Sequence, residues 1–373
     1  MINTYIPYLT IKEKKYLNEC LRSNFVSTAG AQVSKFEGLF CKKFKFKHSI
    51  AVNSGTSSLH LALLSIGVGS NDIVIAPSFT FAATANAIRY TNANPWFFDC
   101  NEDLVLDLNK IELFLNKNAK VKSGKLVEKL SGQEIKAIIP VLTMGKNINF
   151  FEYEKFAKKY SLKIIYDSAA CHDPRIMNFK KNKNSIFCFS FNGNKTITTG
   201  AGGIMATNSK VLADKARLYS TVGKKKTNYD YEVIGFNYKM TNIQASIGLS
   251  QLEKLEEILK KKRKIFDFYK SNLTNLNKYE IVFDKKNINW VFAIILKKSK
   301  YFRNIKEKLN KAKIQLDYFW KPLHLQKPYR NFKRSNLNFS TNLWKKILIL
   351  PSHPSVSKID QKKVCKIINN ELI

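Results

Sequence analysis

Residues 163–190 read KIIYDSAACHDPRIMNFKKNKNSIFCFS and hold two short apolar runs, 163–167 and 186–190. The runs are apolar on both faces, which is typical of buried parallel strands. Three similar runs occur elsewhere, at 73–76, 95–99 and 137–141. Helical spacing of apolar residues occurs in two segments, 33–44 and 57–66. Strands that alternate with helices predict an α/β fold in which helices cover both faces of a central, mostly parallel sheet.

The pattern changes in the last third of the chain. Residues 241–273 predict one long helix, and strand-like segments at 281–284 and 290–296 alternate with charged helices after it. We therefore expect a large domain over residues 1–240, which includes an N-terminal segment, and a smaller C-terminal α+β domain over residues 241–373.

The chain is strongly basic, since 63 Lys and Arg residues against 28 Asp and Glu give a formal net charge of +35 over 373 residues. Only 8 of the 63 are Arg, and the basic residues are dispersed. Proteins that read nucleic acids depend on Arg for bidentate contacts, so this pattern predicts no nucleic-acid partner. A positive field favours a small anionic ligand instead. We interpret the densest basic run, KKKRK at 260–264, as a solvated helix face.

Targeting signals and cysteines point to the cytoplasm. The N-terminal residues lack the apolar core of a signal peptide, and no run of about 18 apolar residues could cross a membrane. The six cysteines are scattered, without CxxC pairs or metal-ligand spacing, which is typical of thiols in a reducing compartment. We expect a cytoplasmic protein without a membrane partner or a metal.

A first candidate site lies in residues 51–63, AVNSGTSSLHLAL, where the end of a strand meets a helical pattern. Free N–H groups at a helix start bind anions, and Gly55 lets the backbone approach a phosphate. Ordinary capping of a helix by Ser and Thr explains the same residues. The segment alone leaves both interpretations open.

A second candidate is Asp167, the last residue of the run KIIYD. Ligands of parallel sheets bind at the carboxyl ends of the strands. A carboxylate at that place could bind a metal, cap a helix or hold a protonated ring nitrogen.

A third candidate is Lys195, in the segment FSFNGNKTITTGAGGIM at 189–205. A polar turn that contains glycine follows a buried strand there. A lysine in a desolvated loop has a lowered amine pKa and can form a Schiff base with an aldehyde, or it can bind a phosphate.

Motifs along nearly the whole chain resemble one family. Five occur in order: SGT at 54–56, PSFTFAATANAI at 77–88, YDSAA at 166–170, SFNGNKTITTGAGG at 190–203 and GFNYKMTNIQASIG at 235–248. In this order they resemble the DegT/DnrJ/EryC1/StrS family of pyridoxal-phosphate sugar aminotransferases, which has fold type I. The resemblance extends from IPYLTIKEKKYL at 6–17 to LPSHPSV at 350–356.

The resemblance implies how a cofactor would be held. Lys195 would form the Schiff base with pyridoxal 5′-phosphate and act as the proton shuttle, and Asp167 would pair with the pyridine nitrogen. Gly55, Thr56 and Ser190 would hold the cofactor phosphate.

Other motif residues would complete the site. Phe81 would stack on the cofactor ring. Asn237 would reach the cofactor phosphate of the neighbouring subunit, so the resemblance implies a homodimer with composite active sites. Tyr231, Lys239 and His324 occupy positions that suggest contacts with the substrate, although a structural role for His324 is an equal alternative.

Within the family, FVSTAG at 25–30 and WKPLHLQKPY at 320–329 look most like the branch that acts on nucleotide-linked 4-keto-6-deoxy-hexosamines, in the bacillosamine and legionaminic acid routes. We therefore predict transfer of an amino group from glutamate to C4 of a UDP-linked 4-keto-6-deoxy sugar of the GlcNAc type, for surface polysaccharide or glycan synthesis. The alternative is the same chemistry on a dTDP- or GDP-linked 3- or 4-keto-6-deoxy sugar.

At five positions the chain departs from the family pattern: Ala170 where Gln, His or Glu is usual, Ala201 for Glu, Tyr231 for His, Lys239 for Arg and Asp317 for Arg. His172 is the residue that could replace the polar contact missing at Ala170. Lys195 and Asp167 are unchanged, so the departures bear on the sugar more than on the reaction.

Two alternatives follow from the same residues. A subset of the family has His in place of the lysine and is a dehydratase, which Lys195 argues against. A non-catalytic regulator or nucleic-acid binder on the same fold would account for the charge of +35.

Overall fold

A large mixed β-sheet runs through the centre of the protein. The computed structural model describes residues 1–225, 229–282, 287–316 and 318–372. The strands of these residues are β1 (His48–Val52), β2 (Ile73–Pro77), β3 (Asn94–Phe98), β4 (Ala119–Lys122), β5 (Lys125–Glu128), β6 (Ile135–Ile138), β7 (Lys163–Asp167), β8 (Ile186–Ser190), β9 (Gly203–Thr207), β10 (Tyr279–Val282), β11 (Phe292–Leu296) and β12 (Ile347–Leu350).

Helices surround this sheet and a smaller one. In the same described ranges they are α1 (Ile11–Arg22), α2 (Ala31–Phe44), α3 (Gly55–Ser65), α4 (Ala82–Tyr90), α5 (Leu108–Asn118), α6 (Phe150–Lys159), α7 (Lys210–Ser220), α8 (Asn242–Glu253), α9 (Leu255–Asn272), α10 (Lys300–Lys311), α11 (Asn338–Leu343) and α12 (Lys358–Glu371).

In the described part of the chain the large sheet has seven strands, in the order β1-β9-β8-β7-β6-β2-β3. Five of them are the predicted strands, and β7 and β8 have the predicted bounds. β9 runs antiparallel to β1 and β8, whereas the other neighbouring pairs are parallel. No helix crosses between β8 and β9, so the chain turns back directly and β9 must run the opposite way. The expected α/β fold with a mostly parallel sheet is confirmed.

Both faces of the large sheet are buried. Along β8, Phe187 and Phe189 belong to the apolar cluster on one face, where Phe40 of α2 lies 5.0 Å from Phe189 between ring centroids. Ile186 and Cys188 belong to the cluster on the other face, which α3 covers. Helices therefore cover both faces, which explains why the strands are apolar on both sides.

The carboxyl ends of the parallel strands meet at one edge of the large sheet. β1 leads into α3, β2 into the turn before α4, and β6 into Val141. β7 ends at Asp167 and β8 at Ser190. This edge is where ligands bind in open α/β sheets.

The smaller sheet lies in the C-terminal part of the chain. There, in the residues that the structure describes, β10, β11 and β12 form three antiparallel strands, and α12 packs against α9 and α10. The N-terminal segment reaches this part, since Ile2 pairs with Ile314. α8 packs instead against α1 and α2. The predicted division into residues 1–240 and 241–373 stays a prediction.

The predicted single helix over 241–273 is wrong. α8 ends at Glu253 and α9 begins at Leu255, with Lys254 between them. The Lys254 ammonium is buried and lies 2.5 Å from a carboxylate oxygen of Glu13 in α1. This buried ion pair draws the turn toward α1, and the helix is interrupted there.

Of two further predictions, one is wrong at a single residue and the other falls partly outside the described residues. The interpretation of 260–264 as a solvated face is wrong for Lys262, whose side chain is buried. The predicted strand at 281–284 is described only to Val282 in β10. Residues 283–284 and Asp317 lie outside the described residues.

Candidate active site

A cavity of about 310 Å³ lies at the carboxyl edge of the large sheet. Its wall consists of the segments that follow β1, β2, β6, β7 and β8, together with two tryptophans from the C-terminal part, Trp290 and Trp320. Six predicted site residues line it: Gly55, Thr56, Phe81, Asp167, Ser190 and Lys195. The sheet thus brings together residues that lie far apart in the sequence.

Asp167 lies at the base of the cavity with 5% of its surface exposed. Its Oδ2 accepts a hydrogen bond of 2.7 Å from the Thr84 hydroxyl, and its Oδ1 accepts one of 3.1 Å from the backbone N–H of Ala169. Burial raises the pKa of the carboxyl group, and the two hydrogen bonds oppose that effect. A buried carboxylate is stable when a cationic group faces it, so this position suits a protonated ring nitrogen.

Lys195 lies in the turn between β8 and β9. Its backbone N–H donates to the Asn192 carbonyl at 3.0 Å, and the hydrogen bond from Phe191 N–H to Gly202 O closes the turn at 2.8 Å. Burial lowers the pKa of the Lys195 amine to about 8, although the charge of Asp167 acts in the other direction. An amine with this pKa is partly neutral near pH 7 and can react with an aldehyde.

The start of α3 combines a helix cap with an open end. The Ser54 hydroxyl accepts a hydrogen bond of 3.0 Å from the Ser57 N–H, so the predicted capping is present. Gly55 and Thr56 follow and line the cavity. A Cβ on Gly55 would lie 2.7 Å from the Cβ of Ser190, so glycine lets the helix start and the end of β8 approach closely. Capping and anion binding are therefore compatible here.

Aromatic side chains form the outer wall of the cavity. Phe81 is 60% exposed, which is unusual for a phenylalanine, and its ring centroid lies 6.4 Å from that of Trp320. Trp320 in turn stacks on Phe319 with 4.3 Å between centroids. The exposed Phe81 ring is therefore available to stack on a planar ligand.

Three predicted residues near the start of α8 lie outside this cavity lining. Asn237 is exposed, and its carbonyl accepts a hydrogen bond of 3.3 Å from the Asn53 side chain. Lys239 pairs through its backbone with Val52, and Tyr231 is exposed. Their roles toward cofactor or substrate stay predictions.

His324 also lies outside the lining. Its Nδ1 is 2.6 Å from the Ser78 hydroxyl and its Nε2 is 2.9 Å from the Thr341 hydroxyl. Both ring nitrogens thus have partners within the chain, an arrangement that favours the structural alternative. A substrate contact by His324 stays a prediction.

Two of the departures from the family pattern, Ala170 and Ala201, do line the cavity and make its wall apolar there. His172 is buried behind that wall, where its Nε2 lies 2.8 Å from the Ser190 carbonyl. Burial lowers the pKa of His172 to about 3, so the ring is neutral. His172 therefore supports Ser190, and its replacement of the polar contact missing at Ala170 stays a prediction.

Sequence reasoning missed three residues of this region. Thr84 holds Asp167, Trp290 lines the cavity beside Lys195, and Lys262 holds Trp290 through a hydrogen bond. Thr84 lies within the quoted motif at 77–88, so its helical position relative to the end of a strand was the available signal. Trp290 and Lys262 carry no local signal of this kind.

The residues of the cavity fit pyridoxal 5′-phosphate. A helix start with hydroxyl groups suits a phosphate, an amine of lowered pKa suits an aldehyde, and a buried carboxylate suits a protonated pyridine nitrogen. The observation that supports this fit is the close approach of Gly55 to Ser190, because a side chain at position 55 would force apart the two segments that are predicted to bind the phosphate.

Comparisons with known proteins agree with this arrangement. The model of the DegT/DnrJ/EryC1/StrS aminotransferase family matches residues 7–369. The GDP-perosamine synthase of Escherichia coli O157:H7 is 33% identical over 99% of this chain and 98% of its own. The UDP-4-amino-4,6-dideoxy-N-acetyl-β-L-altrosamine transaminase of Campylobacter jejuni is 30% identical over 91% of this chain and 89% of its own. A DegT DnrJ EryC1 StrS aminotransferase from Brucella abortus has a crystal structure with a TM-score of 0.87 and 27% identity, covering 96% of this chain and 95% of that chain.

The described part of the chain holds neither a membrane-spanning helix nor a metal-binding cluster. Among the described helices, none has the length and apolar character needed to cross a membrane. Within the described ranges, no cluster of three or more His, Cys, Asp or Glu side chains is placed to hold a metal ion.

Proposed function

Because the chain belongs to the DegT/DnrJ/EryC1/StrS aminotransferase family, we propose that it transfers the amino group of glutamate to the C4 keto group of a nucleotide-linked 4-keto-6-deoxy sugar. The protein is a sugar aminotransferase that depends on pyridoxal 5′-phosphate. The amino donor, the carbon position and the nucleotide are the parts of the proposal that go beyond the family.

The observation that carries the proposal is the presence of Lys195 and Asp167 in one cavity. The two side chains supply an amine with a pKa of about 8 and a buried carboxylate. Transamination needs both groups, because one must move protons and the other must stabilise positive charge on the ring nitrogen.

Each residue of the cavity would have a defined task. When bound, the cofactor supplies an aldehyde that takes up amino groups and a ring that withdraws electrons. Asp167 would accept a hydrogen bond from the ring nitrogen and keep the proton there. Lys195 Nζ would take the proton from the α carbon of glutamate and, after 2-oxoglutarate has left, would deliver a proton to C4 of the sugar. Gly55, Thr56 and Ser190 would bind the phosphate.

For the carrier, a GDP-linked sugar is the first candidate. It is supported by three relatives named GDP-perosamine synthase, which are 33%, 30% and 30% identical over nearly the full chain. A UDP-linked N-acetylated sugar is the second candidate, supported by the Campylobacter jejuni transaminase at 30% identity. The name of that relative contains a 4-amino-4,6-dideoxy sugar, which supports C4 as the position.

The assembly belongs to the proposal as well. Asn237 is exposed and lies outside the cavity lining of its own chain. A side chain in this position can serve the cavity of a second copy across a two-fold interface. We therefore propose a cytoplasmic homodimer in which Asn237 of one subunit binds the cofactor phosphate of the other.

The test offers glutamate together with GDP-, UDP- and dTDP-linked 4-keto-6-deoxy sugars and identifies the aminated product by mass spectrometry and NMR. Preferred turnover of the GDP-linked sugar supports the proposal, and preference for the UDP-linked sugar selects the second candidate. Lys195→Ala should lose turnover with every sugar. If the cofactor-loaded protein aminates none of them, the proposed reaction is wrong.

A further inference from the structure

Trp290 is held in place by contacts with four other parts of the chain. Its backbone N–H donates to the Met144 carbonyl at 2.7 Å, and its carbonyl accepts a hydrogen bond of 2.9 Å from Lys262 Nζ. Its indole N–H donates to the Asn194 carbonyl at 2.7 Å. The ring also stacks on Tyr5, with 5.3 Å between centroids and 19° between planes. A side chain fixed in this way has little freedom to move.

Lys262 is an unusual support for a tryptophan. It lies on α9 with 2% of its surface exposed, and its Nζ donates to the carbonyls of Trp290 and Ser352 at 2.9 and 3.0 Å. In the part of the chain that the structure describes, no carboxylate forms an ion pair with it. A buried amine without a counter-ion lowers stability whenever it is protonated, so its presence here points to a geometric requirement at Trp290.

The backbone that accepts the hydrogen bond from the Trp290 N–H is strained. Met144 has a φ of 58°, in the left-handed region that side chains other than glycine rarely adopt, and Gly145 follows with a φ of 78°. A Cβ on Gly145 would lie 2.4 Å from the Ala170 carbonyl oxygen and 3.2 Å from the Trp290 nitrogen. The turn therefore brings Trp290 against the segment that follows Asp167, and strain of this kind accumulates at functional sites.

These contacts place the indole ring beside the reacting amine. Lys195 Nζ lies 4.1 Å from the centroid of the Trp290 ring. We propose that Trp290 is a catalytic residue that holds the amine of Lys195 at the cavity wall between proton transfers, and that Lys262 is the positioning residue that keeps Trp290 there. This inference rests on the role proposed for Lys195. The π face attracts the ammonium form, so a released lysine stays near the substrate carbon and does not turn toward solvent.

Besides Tyr5 and His353, which line a small cavity together with Trp290, the titratable groups Asp167, His172 and Lys262 act on the Lys195 amine or lie next to Trp290. Asp167 favours the charged form of Lys195, whereas burial disfavours it. His172 is neutral because burial lowers its pKa to about 3. Lys262, whose pKa burial lowers to about 7, lies on the backbone side of Trp290. A change confined to the ring of Trp290 leaves all three in place.

The test measures how fast the apoprotein captures pyridoxal 5′-phosphate as a function of pH, by absorbance. The amine adds to the aldehyde carbon and water leaves, so the rate follows the neutral fraction of the Lys195 amine. Wild type should give a pKa of about 8. In Trp290→Leu the pKa of Lys195 should fall by about 1, which lies within the range of cation–π contacts. Trp290→Phe keeps an aromatic ring, so the pKa of Lys195 should fall less in this variant.

The positioning role of Lys262 is tested with a variant of Lys262 and with a control variant elsewhere in the core. Lys262→Met fills the same space but cannot hold the Trp290 carbonyl, so the pKa of Lys195 should fall in the same direction. Trp96→Leu removes another buried tryptophan that does not line the cavity and should leave the pKa of Lys195 unchanged. In steady-state assays, both Trp290 variants should lower kcat with little change in KM for glutamate.

An unchanged pKa of Lys195 in Trp290→Leu overturns the inference. If that variant is insoluble, an unchanged pKa in both Trp290→Phe and Lys262→Met overturns it. Failure of the proposed function gives another result. In that case the wild-type apoprotein does not capture pyridoxal 5′-phosphate, or Lys195→Arg captures it at the same site and at the same rate.

Discussion

The hydroxyl of Thr84 donates a hydrogen bond of 2.7 Å to Oδ2 of Asp167 and lies 2.9 Å from the hydroxyl of Thr80. The bond stabilises the charged form of Asp167, whose pKa burial raises. α4 and the end of β7 therefore cooperate to oppose the effect of burial on this carboxyl group.

Replacing Thr84 by Val keeps the volume and removes the donor. The pKa of Asp167 should rise further, because the opposing hydrogen bond is lost, and kcat should fall about tenfold or more, the usual effect of losing a hydrogen bond to a charged group. Rapid-mixing measurements of each half-reaction would show the loss in both. Thr84→Ser keeps the hydroxyl and should stay close to wild type. A Thr84→Val enzyme within about twofold of wild type would show that the bond is dispensable.

An alanine at position 55 would place its Cβ 2.7 Å from the Cβ of Ser190. Because that distance is too short for two carbon atoms, the start of α3 must move away from the end of β8. We expect pyridoxal 5′-phosphate to bind about tenfold more weakly or worse, measured as the Kd of the apoprotein by absorbance titration. The matched control is Gly38→Ala in α2, where no heavy atom lies within 4 Å. That variant should keep the wild-type Kd and gain about 0.5–1 kcal/mol of stability. Equal Kd values for the two variants would contradict the assignment of Gly55 to the phosphate site.

Lys262 makes stability depend on pH in a defined direction. Burial lowers its pKa from 10.5 to about 7, so between these values the unfolded chain binds one more proton than the folded chain. The free energy of unfolding should therefore fall as the pH decreases from 10 to 7, by up to about 1.4 kcal/mol per pH unit from this residue, and its contribution should level off below pH 7.

The measurement is urea denaturation of the apoprotein at several values between pH 7 and pH 10, compared with Lys262→Met. The variant lacks this dependence, so its stability relative to wild type should improve as the pH decreases. Lys264→Met, on the exposed side of the same helix, should follow the wild-type curve. If Lys262→Met also follows that curve, Lys262 is not buried in solution.

Elements with a local pattern could be predicted, and contacts that depend on tertiary packing could not. β7 and β8 match their predicted bounds because each is a short run of apolar residues with polar residues after it. Asp167 and Lys195 could be singled out because Asp167 ends such a strand and Lys195 lies in the polar turn that follows another. The contact of Thr84 with Asp167 joins residues 83 positions apart, and that of Trp290 with Asn194 joins residues 96 apart. Spacing along the chain does not indicate which distant residue Thr84 or Trp290 contacts.

The break between α8 and α9 illustrates the same limit. Apolar residues continue with helical spacing through the break, so the sequence predicts one helix. The cause lies at the start of α1, where Glu13 of the helix and Thr10, the residue before it, bind the Lys254 ammonium. Thr10 and Lys254 are 244 positions apart in the sequence. The predicted solvated face fails at Lys262 for a similar reason, because its acceptors are backbone carbonyls of two distant turns.

The proposed homodimer makes a prediction that separates shared sites from independent ones. Lys195→Ala and Asn237→Asp should each be inactive alone. If Asn237 serves the neighbouring subunit, unfolding and refolding the two variants together should restore about a quarter of wild-type activity, since half of the dimers are mixed and each mixed dimer has one intact site. If Asn237 serves its own subunit, no mixed dimer has an intact site and activity stays at background.

The link between Ile2 and Ile314 has a consequence for protein synthesis. Tyr5 leaves the ribosome long before its stacking partner Trp290, and the hydrogen bond from Thr4 to Gln315 spans 311 positions. At about 5–20 residues per second, translation needs about 5–20 seconds to advance from Lys195 to Trp290. A nascent chain can thus form its large sheet while the lysine still lacks one wall of its cavity. The complete site arises only when the C-terminal segments have been translated and the N-terminal segment has closed over them.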